Sequence, residues 1–332
     1  MHYFLGVDVG SSKTHALIAD ESGNCIGFGK APGGNYQMVG YDGLADALQK
    51  SFTQAIQMSK IVPAQITGAG FGIAGYDFPS DQAPHLKAIA RLGLSCPVEI
   101  VNDGLNGLLA GATHGIGVSV SAGSGVNCRG RGPNGEEGRI VGNGIDFGEF
   151  GGGSEIVWKG LHMVNYAWIK RIPPTALTAI YLEAANANDV LELMEGLSNN
   201  THHLIHSIAV KVFEAATAGD GAAREIVTWA GEELGWLAVS VARQIGLVKD
   251  EVEIILSGSI FDAGEILLQP MGQIIYNSLP KGKIIRLEGP SVVGPVVLGM
   301  QTVDLESDHV RQMLIQSSQA LLKRVSRAGK NF

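Results

Sequence analysis

Asp8 interrupts a short apolar stretch, Phe4 to Val9, just before the turn Gly10-Ser11-Ser12, which is followed by Lys13 and Thr14. These residue types could do chemistry together. A carboxylate is costly to bury unpaired, so a strand does not carry one there for stability. A Gly/Ser turn offers backbone N–H groups, Lys13 a cation and Thr14 a hydroxyl. Asp8 adds a carboxylate able to hold a hydrated Mg²⁺, and the set makes a cup for phosphate or metal-phosphate. It is not a Walker loop, because G-x-x-x-x-G-K-[ST] is lacking. An ordinary hairpin with one solvated aspartate fits the same residues, and this stretch alone leaves both readings standing.

A similar pattern recurs about 110 residues later: an apolar run from Ile116, then Ala122-Gly123-Ser124-Gly125, then a short strand through Asn127 to Gly130. Glycine at the turn lets backbone N–H groups close on a phosphate. Two such strand–turn–strand loops imply an internal duplication facing a shared cleft, and favour the phosphate reading of the first.

Other candidates lie where strands end. Gly75 and Asp77 follow the glycine-heavy strand Ile66–Gly75, and ligands collect at such carboxyl ends. Asp103 follows Val98–Asn102 and opens the helix Gly104–Gly111; it reads either as a helix cap or as a base facing the cleft. Asn35, in the loop Pro32–Tyr36, can donate and accept at once, which suits a hydroxyl-rich ligand, and shaping the turn suits it equally. The glycine-rich loop 138–154 carries Asp146, Gly148 and Glu149, and Gly258-Ser259 follows the strand from Glu253, where a flat ring or ribose could approach the backbone. His202, His203 and His206 fall in a largely helical stretch, Ile172–Ala218; no acidic or Cys partner completes a metal set, so they read as structural or surface residues.

The elements that must position these residues alternate between strand and helix, an α/β pattern. A third antiparallel strand covers Asn24–Lys30, and helices cover Tyr41–Lys60, Ala83–Leu92, Glu155–Ile169 and Gly221–Ile245. Lys283–Glu288 reads as an edge strand, and Pro290–Met300 as the start of a helix. The tail, Val310–Val325, is an amphipathic helix with Met313, Leu314, Leu321 and Leu322 inward and Lys323, Arg324 and Arg327 outward. At 332 residues the chain suits two domains. The expected division is 1–114, which the tail 305–332 can complete, and 115–304 with a helical insertion. A net charge of −8 argues against nucleic acid or anionic membrane as the partner. No signal peptide and no apolar run of the ~20 residues a span requires is seen. Three separated cysteines without C-x-x-C fit a reducing cytoplasm. The apolar helices of the second half and the tail suit a homodimer surface or a core equally.

In this order the chain resembles the actin-like ATPase superfamily of hexokinases, Hsp70 and actin. Within it, the chain looks like the BadF/BadG/BcrA/BcrD-type ATPase family and its N-acetylglucosamine kinase members. The motifs carrying the resemblance are Gly6-Val-Asp-Val-Gly-Ser-Ser-Lys-Thr14, Val101-Asn-Asp-Gly-Leu-Asn-Gly107, Ser121-Ala-Gly-Ser-Gly-Val-Asn-Cys128 and Ile255-Leu-Ser-Gly-Ser-Ile260. The resemblance implies two ribonuclease-H-like domains with an ATP cleft between them, and ATP and Mg²⁺ as cofactors. It implies Asp103 as general base toward a small-molecule sugar, Asp8 on the hydrated Mg²⁺, and Lys13 and Thr14 on the β- and γ-phosphates. Gly10, Ser11, Ser12, Ala122, Gly123, Ser124, Gly125, Gly258 and Ser259 would complete the nucleotide site, and Asn35, Gly75, Asp77, Asn127, Gly148 and Glu149 would line the amino-sugar pocket. Val126 stands where such kinases usually carry Ser, and Gly148-Glu149 where they carry Gly-Asp. Both departures bear on the sugar more than on the chemistry. An ATP-driven conformational switch acting on a protein partner is the competing reading.

Overall fold

The computed structural model describes residues 1–305 and 308–328. Its contacts divide the chain into two units, Met1–Ser119 with the segment from Ile285 onward, and Val120–Ile284. In the first unit β1 (Tyr3–Val9), β2 (Lys13–Asp20) and β3 (Cys25–Pro32) form an antiparallel meander. After α1 (Tyr36–Ser59) the strand β4 (Ile66–Ile73) returns parallel to β1. Then α2 (Gln82–Ala90) leads to β5 (Val98–Asn102), parallel to β4, and α3 (Asn106–Gly111) follows. The sheet order is β3-β2-β1-β4-β5, so β1 is central and the carboxyl ends of β1, β4 and β5 lie side by side.

The second unit repeats this order. β6 (Gly117–Ala122), β7 (Val126–Arg131) and β8 (Glu137–Arg139) come first. A helical stretch follows: α4 (Gly153–Trp168), α5 (Leu177–Ala185), α6 (Val190–Ser198), α7 (Ile208–Thr217) and α8 (Gly221–Gln244). β9 (Val252–Ser257), α9 (Glu265–Ser278) and β10 (Gly282–Arg286) close the sheet. Its order, β10-β9-β6-β7-β8, again puts the first strand at the centre, with the second and third on one side and the fourth and fifth on the other. The duplication expected from the two glycine turns is therefore present in the topology. The helical face read in α8, with Ile226, Ala230, Leu234, Leu237 and Val241, is buried.

The chain then returns to the first unit as α10 (Val293–Gln301) and α11 (Asp308–Ala328). The second boundary thus falls near 284 rather than 304. The reason is written in glycines. Side chains alternate across a strand, so Leu5, Val7 and Val9 face the core under α1, while Phe4 joins the core built on α10 and α11. Gly6 shares the Phe4 face, and Gly68 and Gly70 face the same way on β4. A β-carbon at Gly6 would overlap the Val296 backbone, one at Gly70 the Pro295 carbonyl, and one at Gly68 the Gly299 carbonyl. Only a bare sheet surface lets α10 lie this close, and that contact ties 293–301 to the first unit.

Two other expectations change. His202, His203 and His206 lie in the connection between α6 and α7, not in a helix, and the His202 ring packs flat on Gly196. In α11, Leu314 and Leu321 are buried as expected, but Met313 is 45% exposed. Among the described residues no helix is long and apolar enough to cross a membrane.

Gly70→Ala should force α10 off β4. Overpacking of this kind costs about 3 kcal/mol. Urea unfolding should show a lower midpoint with an unchanged slope.

Candidate functional site

Asp8 occupies the penultimate position of β1, on the glycine face. Its two oxygens have separate donors. The Asn106 amide, on the first turn of α3, donates to Oδ1 at 2.9 Å, and the Ser291 hydroxyl, just before α10, donates to Oδ2 at 2.5 Å. Gly72, opposite Asp8 on β4, makes the room: a β-carbon there would overlap the Asn106 side-chain amide. Burial pushes the Asp8 pKa above the usual carboxylate value, although Ser291, Asn106 and the Lys13 charge all favour the ionised form. His15, its cross-strand neighbour, gives no balancing charge. Burial, with Lys13 and Lys30 nearby, lowers the His15 pKa to about 4, so the ring is neutral at pH 7.

The turn after β1 is closed by Gly10 N–H donating to the Lys13 carbonyl at 2.9 Å. Gly34 N–H donates to the Gly10 carbonyl at 3.1 Å and fixes the turn against the following loop. Ser11, Ser12 and Lys13 are exposed and available to a ligand. Thr14 is not: it is 0% exposed, and its hydroxyl has no hydrogen-bond partner. Asn35 caps α1, its Oδ1 accepting from Gln37 N–H at 3.0 Å, and its Nδ2 donates to Ser11 Oγ at 3.2 Å. Gly75, at φ +84°, lies against that same Asn35 oxygen. One side chain therefore joins the turn after β1, the start of α1 and the end of β4.

Asp77 and Asp103 follow the neighbouring strands β4 and β5, which are in register at Ile73 and Asn102. Asn102 connects the two. Its Nδ2 donates to Asp77 Oδ1 at 3.1 Å and its Oδ1 accepts from Gly104 N–H at 2.9 Å, capping the short turn that carries Asp103. The first unit thus brings Asp8, Ser11, Asn35, Gly75, Asp77 and Asp103 to one end of its sheet. Asn102, Asn106 and Ser291 were not singled out in the sequence. Asn102 and Asn106 lie within the Asp103 motif, whereas Ser291 is 283 residues from Asp8 and leaves no local signal.

In the second unit the turn 122–125 is closed by Gly123 N–H donating to the Gly125 carbonyl at 2.9 Å. Gly153 and Ser154 N–H groups at the start of α4 donate to the Gly123 and Ser124 carbonyls, each at 2.8 Å. Gly258, at φ +99°, presses on Ala122, where a β-carbon would overlap the carbonyl, so the turn after β9 meets the turn after β6. Ser259 beside it is exposed, and Asn127 is half-buried on β7. Gly148, at φ +70°, ends the short turn 144–147 and is open around its Cα. Glu149 is spent on its own loop: it is 6% exposed, and its oxygens accept from the N–H groups of Val141, Gly142 and Asn143 at 2.5, 2.7 and 2.9 Å. A cavity of about 440 Å³ beside the turn is lined by Gly125, Val126, residues 142–146 and Glu155.

Two topologically equivalent sheets, each with a glycine turn after its central first strand, define the two-unit actin-like ATPase fold. A protein of Chromobacterium violaceum provisionally named as an N-acetylglucosamine kinase shares it, with a TM-score of 0.70 at 20% identity over 90% of this chain and 99% of that one. Residues 5–296 match the profile of the BadF/BadG/BcrA/BcrD ATPase family, and the chain belongs to that family. The N-acetyl-D-glucosamine kinase of Dictyostelium discoideum is 25% identical over 313 residues, 90% of this chain and 98% of that protein. The N-acetylmuramic acid/N-acetylglucosamine kinase of Clostridium acetobutylicum is 24% identical over 307 residues, 92% and 100% of the two chains.

Because burial raises the Asp8 pKa, the ionised carboxylate opposes folding at neutral pH. Asp8→Asn should therefore unfold at higher urea than wild type at pH 7 in metal-free buffer. The difference should shrink as pH falls through the raised folded-state pKa and vanish below the ordinary carboxylate value of 3.8, where the wild-type group is protonated in both states.

Proposed function

We propose that the protein is an ATP-dependent sugar kinase acting on an amino sugar of the N-acetylglucosamine type or a related hexose. The observation that carries this is the joined pair Asp77 and Asp103 at the ends of β4 and β5, with Asn35 beside the phosphate turn. In this reading they supply the polar groups for a small acceptor, which an ATPase without one has no need of. The full-length kinship to amino-sugar kinases supports it.

In this reading Asp103 takes the proton from the acceptor hydroxyl as it attacks the γ-phosphorus, and the ADP oxygen leaves with the electron pair. Positioned base catalysis contributes about 10²- to 10⁴-fold. Asn35 and Asp77 orient the sugar hydroxyls in the first unit, and Asn127 and Gly148 are the proposed sugar contacts of the second. Glu149 acts on that side through the 141–143 backbone it holds. Ser11, Ser12 and Lys13 receive phosphate oxygens, as do the backbone N–H groups of Ser124 and Gly125, while Gly258 and Ser259 take the nucleoside. Thr14 reaches a phosphate only if β2 rearranges, because its hydroxyl is now sealed.

Asp8 fits a hydrated Mg²⁺. It is a single oriented carboxylate whose burial an adjacent cation would offset, and among the described residues no three His, Cys, Asp or Glu side chains converge into a cage. Bound there with ATP, the ion would neutralise charge on the transferring phosphoryl group. Ser291 and Asn106 hold the carboxylate in place for it.

A coupled ADP-release assay with Mg-ATP across N-acetylglucosamine, glucosamine, N-acetylmannosamine and glucose tests the reading. One sugar should stimulate release strongly. Asp103→Asn should lower that rate by about 10²-fold or more while nucleotide affinity is kept. A flat, low rate for every sugar would point instead to an ATPase switch.

A further inference from the structure

Asp81 was not among the residues singled out by the sequence, yet it is the anchor of the Asp77 loop. It lies four residues past Asp77, directly before α2, and is 6% exposed. Its Oδ2 accepts two consecutive backbone N–H groups, Asp77 at 2.9 Å and Phe78 at 2.8 Å. Its Oδ1 accepts from the Tyr36 hydroxyl at 3.2 Å. Tyr36 is the residue after Asn35, so one carboxylate joins the two loops that carry Asn35 and Asp77.

The anchor is itself held. The His85 Nδ1–H donates to the Asp81 carbonyl at 2.6 Å, and the His85 ring is wholly buried. The rings of Tyr36, Tyr41 and Tyr76 stand edge-on to it, with centroids at 5.2, 5.3 and 5.3 Å. Burial by itself would raise the Asp81 pKa, but the two N–H donors and the Tyr36 hydroxyl hold it below the usual value, so the carboxylate is ionised. On the far side of the loop, Asn102 Nδ2 donates to the Tyr76 carbonyl at 3.3 Å and to Asp77 Oδ1 at 3.1 Å. Asp77 and Phe78 are thus held by Asp81, at the head of α2, through their N–H groups, and Tyr76 and Asp77 by Asn102 of β5 through a carbonyl and a side chain. Gly75, at φ +84°, supplies the bend that lets both sides be met.

We infer that Asp81 is a positioning residue for the acceptor, setting sugar affinity by fixing the backbone that aims Asp77. This rests on the kinase reading above. Asp81 touches neither nucleotide nor reacting atoms in that reading, so its loss should appear in the acceptor KM and leave ATP unaffected.

The test compares three variants with wild type, using the sugar that stimulates wild type and following thermal unfolding alongside kinetics. Asp81→Ala should raise the sugar KM by about tenfold or more, with the KM for ATP unchanged, because it removes three charge-assisted hydrogen bonds, two of them to the loop backbone. Asp81→Glu keeps the charge but displaces the oxygen by one methylene, and should also raise the sugar KM. Asp81→Asn keeps an acceptor oxygen at the position of Oδ2 and should return KM to within about threefold of wild type. If Asp81→Ala does not fold, the Glu and Asn pair decides the matter. Unchanged sugar KM in the Glu variant, or variants whose KM follows only their melting temperature, would overturn the assignment. A wild-type protein that answers to no sugar would overturn the kinase reading and this assignment with it. An active wild type with an indifferent Glu variant would overturn this assignment alone.

Discussion

The close approach of α10 to the sheet of the first unit is the constraint on which the rest depends. Gly6 on β1 and Gly68 and Gly70 on β4 share one face, and the backbone of 295–299 occupies the space where their side chains would be. The helix is thereby laid across strands from which it is separated by most of the sequence. Ser291, two residues before it, then reaches the carboxylate at the end of β1. Gly72 continues the row and admits Asn106 to the other oxygen of the same group. One glycine seam serves as packing surface in the middle of the sheet and as a site at its end.

The polar end of that sheet is stiff and carries a thermodynamic cost. Asp8 is ionised only against its burial, and the Thr14 hydroxyl is buried without a partner. Such arrangements persist where surrounding structure over-determines them, and they concentrate at sites whose ligands supply what the protein withholds. The second unit spends its polar groups differently. Glu149 saturates three backbone N–H groups, and the start of α4 donates into the phosphate turn. There the loop shape is bought with internal hydrogen bonds, and the turn glycines 123 and 125 are left clear on their Cα side.

The fold was legible in the sequence wherever period and punctuation agreed. The strand–turn–strand pair at 4–19 and 116–130 announced both the elements and the duplication, because two-residue alternation and turn glycines are local properties. The helix break at Gly40 (φ +69°) likewise coincides with the predicted start at Tyr41. The domain boundary at 304 was misplaced, because the glycines at 68 and 70 report that something packs closely without saying what. His202, His203 and His206 were read as helical from a stretch whose flanks are helices. Met313 was read as buried because it is apolar, though it lies on the outer side of α11. In the site, strand-end carboxylates could be seen directly, but their holders could not. Asp81 and Ser291 were not singled out, because what they hold is set by contacts and not by spacing. Glu149 was read as lining the sugar pocket, since hydrogen bonds to its own loop leave no trace in spacing.

The return of the chain to its first unit also bears on how the protein comes to be folded. The second unit is a continuous run from 120 to 284, whereas the first is split, with α10 and α11 supplied from beyond 284. During synthesis, which generally favours N-terminal units first, the later unit here is complete while the earlier one still presents the bare glycine face of β1 and β4. On that face Phe4 and its apolar neighbours stay without their partners until α10 and α11 are supplied. Asp8 likewise gains its Ser291 donor only when the segment from 285 onward joins the first unit.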